Sequence, residues 1–266
     1  MAALPDRADA ERVRRQTWLI LAGAVVVYGL LRWSFGPWPQ DAAYHLLADT
    51  RTCLGVVPRA GDVLTNAAIL AAGLFGAALR RRMVLAPEEH SAANVLIVGA
   101  ICTAFGSAYY HWAPSNATLV WDRLPMTIVL IPVFALVLAD RVSPLFGRYA
   151  LWPFTAFAAA SVIFWGASEA LGQGDLGLYV VVRVGTAVGI ALLLILRAPA
   201  HTGTKWLVAA LVAEVALTVC ERFDHEIFRM TGGRASGHNL KHVIAGLGLA
   251  SVFWWLRSRR RLPVNP

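Results

Sequence analysis

Apolar residues run through this chain in eight stretches, at 18–35, 63–79, 92–111, 122–139, 150–171, 178–196, 206–220 and 240–256. Short segments holding arginine, glycine and proline separate them. An α-helix rises about 1.5 Å per residue, so about 20 apolar residues cross a hydrocarbon core of about 30 Å. The pattern therefore predicts an all-α fold, a polytopic transmembrane helix bundle with eight spans. No fixed-period repeat and no low-complexity linker interrupts it, which makes residues 1–266 a single membrane domain. The shortest stretch, 206–220, contains Glu214 and carries the weakest apolar signal.

Composition agrees. The chain is 58% hydrophobic and 15% charged, with a mean hydropathy of +0.57, whereas soluble domains carry about a quarter charged residues. The net charge of +8 would suit nucleic acid. However, the arginines gather between apolar runs, as topology signals do, and nucleic-acid binding is set aside. Placing the N-terminus in the cytoplasm leaves fifteen Lys and Arg residues in inner segments and seven in outer ones. This matches the positive-inside rule for a multi-pass cell-membrane protein with both termini cytoplasmic. Omitting 206–220 would export the RSRRR tail. The charged N-terminal segment lacks a small-x-small cleavage site before Trp33 and Phe35, so 18–35 reads as a retained span rather than a signal peptide. Cys53, Cys102 and Cys220 form no CxxC pair and indicate no disulfide framework.

This topology brings His111, Asp122, His238 and His242 to one depth, at the extracytoplasmic face. Ser107 and His111 are four residues apart on one helix face, as are His238 and His242. An HxxxH pair can grip a metal from one helix, and His111 can add a third imidazole, the layout of many catalytic zinc sites. Zinc lowers the pKa of a bound water to about 7. Asp122 would then take a proton or orient a ligand, and Ser107 would donate to an oxyanion. The bland alternative is interfacial histidines bonded to headgroups, and a serine bonded to its own backbone four residues back. Ionisable groups within spans are costly and usually functional, which favours the metal.

Other polar residues have simpler readings. His90 and His201 fall in inner loops and read as solvated; His45 and His225 lie outside. Arg32 can snorkel. Glu169 and Arg183 flank the turn GQGDLG and read as a structural ion pair, while Glu214 needs a polar partner or a proton.

These residues resemble the alkaline ceramidase family, within the superfamily that also holds adiponectin-receptor-like proteins. The similarity covers about residues 41–257 and rests on Ser107, His111 and Asp122 followed by Leu124-Pro125-Met126, on His238 and His242 opening the last span, on Asn66, and on Glu221-Arg222. The resemblance implies a seven-helix core over 62–257, with 18–35 as an added N-terminal helix. It implies zinc held by His111, His238 and His242, and hydrolysis of a ceramide-like N-acyl lipid to fatty acid and long-chain amine, assisted by Ser107 and Asp122. Arg123 departs from the family's Asp-Glu and would place a cation beside the site. The eukaryotic calcium loop is not carried over, because YHLLADTRTCLGVVPRAGD offers only Asp49 and Asp62, and calcium takes six or more oxygens. The alternative is a receptor-like or lipid-binding membrane protein with a structural metal. A transporter would hold its polar groups near the midplane instead.

Overall fold

A computed structural model describes residues 7–263. The chain folds into the helices α1 (Arg7–Phe35), α2 (Ala60–Thr65), α3 (Ala67–Leu79), α4 (His90–Trp112), α5 (Asn116–Arg141), α6 (Pro144–Ala170), α7 (Gly177–Leu196), α8 (Thr204–Arg222), α9 (Asp224–Met230) and α10 (Gly237–Ser258). The described residues contain no strand beyond two isolated bridges. The eight apolar stretches each fall on helices, with α2 and α3 joined through Asn66 as one rod. The rod Ala60–Arg82, the segment Pro87–Trp112 and helices α1, α5, α6 and α7 are long and apolar enough to cross a membrane. Helices α8 and α10, of 19 and 22 residues, are comparably long but give up apolar positions to Glu214, Glu221, His238, Lys241 and His242. Of these, Glu221, Lys241, His238 and His242 meet inside the bundle, while Glu214 pairs with Arg183.

Helix α4 packs between α3 and α5, α5 also meets α6 and α7, and α10 lies between α3 and α8. Helix α1 packs on α6 and α7 at the periphery and turns Trp18, Leu30 and Trp33 outward. Lipid tails are as apolar as leucine, so association inside a bilayer depends on close packing and small residues. Helix α4 follows that rule, since Ala93, Ala100, Ala104, Ser107 and His111 form one buried face at helical spacing. A large core of Leu96, Leu136, Leu151, Phe253 and Leu256 fills the end of the bundle away from the histidines.

Polar contacts at the two ends differ from expectation in several places. The charged N-terminal turns are helical from Arg7, so α1 begins eleven residues before the apolar run. Arg32 does not snorkel freely, because its Nε meets Asp175 at 3.0 Å, and Tyr28 donates to the same carboxylate at 2.8 Å. At the arginine-rich end, His201 is not solvated; its Nδ1 lies 2.8 Å from Asp140, which also holds Arg141 at 3.1 Å. Arg259 is fully buried against Glu89 and the Val84 carbonyl. A buried guanidinium persists where its charge is matched in this way.

Candidate metal centre

Helix α10 starts with a capping box. Ser236 accepts from the Asn239 amide at 3.0 Å, and Asn239 accepts from the Ser236 amide at 3.1 Å. Asp224 of α9 accepts from the His238 amide at 2.7 Å. Three of the four exposed donors of a helix start concern these residues, so the first turn is rigid where His238 sits. Gly237 is required there, since a Cβ would lie 2.0 Å from the Cys220 carbonyl oxygen of α8.

Helices α4 and α5 meet by a related device. Pro125 has no N–H, which leaves the Trp121 carbonyl without its helical donor. Gly106 lets α4 approach that carbonyl, because a Cβ would stand 2.0 Å from the oxygen. The approach brings Ser107 and Asp122 onto one cavity wall. Arg59, in the left-handed region at φ 45°, clamps the end of α4 by donating to the His111 and Trp112 carbonyls at 2.7 and 2.8 Å.

These elements bring together all five expected residues. His111, His238 and His242 are buried, and their ring centroids are 4.6, 4.9 and 5.0 Å apart. Each offers a nitrogen within 4.8 Å of the others, so the group can hold a metal ion. Closing on one ion with bonds of about 2.0–2.1 Å brings the donors to about 3.4 Å, a contraction within reach of ring rotation. Both ring nitrogens of His111 and Oδ1 of Asp122 are buried and lack a hydrogen-bond partner among the described residues. An unsatisfied buried polar atom costs about 1–3 kcal/mol, and three in one cluster fit the donor set of a cation and the group that serves it.

The tautomer of His242 follows from its neighbours. Thr65 Oγ1 lies 2.7 Å from the Gly61 carbonyl and donates to it, so it accepts from His242 Nδ1–H at 2.9 Å. The Nε2 lone pair then faces Ser107 Oγ at 3.4 Å, and a metal bound there would take the place of that hydroxyl contact. Thr65 is a supporting residue that the sequence reading missed. Replacing it by valine keeps the shape and removes the acceptor. Metal affinity is expected to fall about 10- to 100-fold, measured by competition with a chelator, while the fold in detergent persists.

Ser107, Asp122 and His242 also line a long, mostly apolar cavity between α3, α4, α5, α7, α8 and α10. It runs past Met126, Leu130 and Leu211 to Val252. Arg183 lines it too and pairs with Glu214 at 3.1 Å, so the expected pair with Glu169 is corrected. Glu169 instead accepts from the Gln40 amide at 2.7 Å, from Trp165 Nε1 at 3.1 Å and from Asn116 Nδ2 at 3.1 Å.

The segment between α1 and α2 covers the histidine end. Tyr44 donates to Glu221 at 2.7 Å, His45 bridges Tyr110 and Asn116, and His225 bonds the Leu46 carbonyl, so neither His45 nor His225 joins the triad. Arg123 does not face the cavity. It is buried over the rings of Trp165, Tyr179 and Tyr44 and donates to Gln40 at 2.7 Å. Asp49 is held by Arg51 at 2.6 Å, and Asp62 accepts from Asn239 at 2.6 Å. Outside the spans, burial opposes the charge on Asp49, but the Arg51 hydrogen bonds win and hold its carboxyl below the usual range. Lys241 enters the centre unforeseen, with Nζ at 3.4 Å from His238 Nε2. Comparison with protein-family models, curated proteins and solved structures returns no match.

Proposed function

We propose that the chain is a zinc-dependent amidase working within the membrane, which hydrolyses ceramide-like N-acyl lipids to a fatty acid and a long-chain amine. The observation that carries this reading is a buried triad of imidazoles, with both ring nitrogens of His111 unpartnered among the described residues, whose member His242 lines an apolar cavity together with the buried carboxylate of Asp122 and Ser107. The likeness of Ser107, His111, Asp122, His238 and His242 to the alkaline ceramidase pattern supports it.

Zinc held by the three imidazoles would polarise the amide carbonyl and lower the pKa of water to about 7. Asp122 takes a proton from the attacking water as its oxygen bonds to the acyl carbon. It returns that proton to the amide nitrogen as the C–N bond breaks, which leaves a carboxylic acid and an amine. Ser107 donates to the carbonyl oxygen as negative charge develops. The apolar cavity holds the acyl chain, whose transfer to water would cost about 0.8 kcal/mol per methylene. The arginine bias supports a site at the extracytoplasmic face of the cell membrane.

Purified protein is to be incubated with a panel of N-acyl sphingoid and other N-acyl lipids, with both products followed by mass spectrometry. Equimolar fatty acid and amine are expected from at least one class. Zinc-loaded protein that yields neither product across the panel overturns the hydrolytic reading.

A further inference from the structure

Lys241 is the polar group of this centre to which the mechanism above gives no task. It is buried on α10 between the two histidines of the HNLKH segment and lines the cavity with Ser107, Asp122 and His242. Its Nζ donates to Glu221 at 2.6 Å and lies 3.4 Å from His238 Nε2. Glu221 is held in turn by Tyr44, so the ammonium is fixed from the α8 side.

An ammonium has three N–H donors and no acceptor. One goes to Glu221, and a second lies toward the lone pair of His238. His238 cannot give that lone pair both to Lys241 and to a metal. A metal held by His238 Nε2 would therefore release this donor beside the triad, still tethered by Glu221. Ser107 occupies the corresponding position beside His242 Nε2. A neutral hydroxyl and a cation thus stand next to two of the three imidazoles, on the wall where an acyl oxygen would lie.

We propose that Lys241 is a second donor to the acyl oxygen: with Ser107 it binds the carbonyl oxygen of the lipid and, after hydrolysis, the carboxylate of the fatty acid. The identity of that ligand rests on the amidase reading; the presence of the donor does not. A charge-assisted hydrogen bond is about twice as strong as a neutral one, which suits an oxygen that gains negative charge. The competing role is purely structural, in which Lys241 only neutralises Glu221.

The test uses the full chain in detergent with cobalt(II) in place of zinc, so that the visible spectrum reports ligands at the metal, and palmitate as the probe. Palmitate is expected to shift the wild-type spectrum. Lys241→Met is expected to weaken palmitate about 10- to 100-fold without changing metal stoichiometry or the spectrum before palmitate. Because Lys241→Met strands a buried carboxylate, the double variant Glu221→Gln/Lys241→Met is measured beside it and is expected to lose the same affinity. Lys241→Arg, which keeps the cation, is expected to stay near wild type. Palmitate bound equally well by wild type and both Met variants, or a wild-type spectrum that palmitate does not move, overturns the proposal. The lipid panel separates the two readings. Product release together with Lys241-independent palmitate binding removes Lys241 alone. Lys241-dependent binding with no product from any lipid removes the amidase alone.

Discussion

Asp122→Asn is expected to lower lipid turnover by about 10²-fold or more, with one metal per chain still bound. Asparagine fills the same volume, and Asp122 is not among the three groups that offer nitrogen to a metal. What the amide cannot do is accept a proton and return it. The buried Oδ1 of Asp122 has no partner among the described residues, and the hydrogen bond that the carboxylate takes from Ser107 can still be accepted by the asparagine carbonyl. The loss should therefore appear in kcat on a responsive lipid, with KM little changed. A receptor-like protein with a structural metal would retain full lipid binding in this variant and have no turnover to lose. Wild-type turnover in Asp122→Asn would exclude proton transfer by this residue.

Removing the metal clamp should have the larger effect. His238→Ala with His242→Ala takes two of three imidazoles from one turn of α10, and metal analysis of the purified protein is expected to fall from about one ion per chain to background. Loss of a single supporting partner already costs about 10- to 100-fold in metal affinity, so loss of two ligands exceeds that range. The capping box of Ser236 and Asn239 and the Asp224 contact do not involve the imidazole rings. The helix should therefore survive, as judged by a single symmetrical peak on size exclusion and an unchanged helical circular dichroism signal. About one ion per chain in the double variant would remove this ligand set.

Much of the bundle was legible because lipid leaves few options. A chain in hydrocarbon must satisfy its backbone internally, so long apolar runs have to be helices. Helix α8 was the weak case for a reason visible in the structure, since Glu214 and Glu221 serve Arg183 and Lys241 inside the bundle. The triad was legible because i, i+4 spacing fixes a helix face and span direction fixes depth. Thr65 was not. A threonine in a helix ordinarily bonds its own backbone, and Thr65 does so at Gly61 while also accepting from His242. Lys241 read as one more outer cation, because burial of an ammonium depends on an opposing carboxylate on another helix. Arg183 was assigned to Glu169 by closeness across a turn, but Glu169 is consumed by Gln40, Trp165 and Asn116. His201 likewise met an aspartate about sixty positions earlier, a pairing that only the fold creates.

The central claim is three imidazoles around one cation. X-ray absorption at the zinc edge of the detergent-purified chain addresses it directly. The expected result is a four-coordinate ion with only nitrogen and oxygen neighbours at about 2.0–2.1 Å and outer-shell scattering from three imidazole rings. A first shell containing sulfur, scattering from fewer than three rings, or protein that binds no zinc would contradict the account.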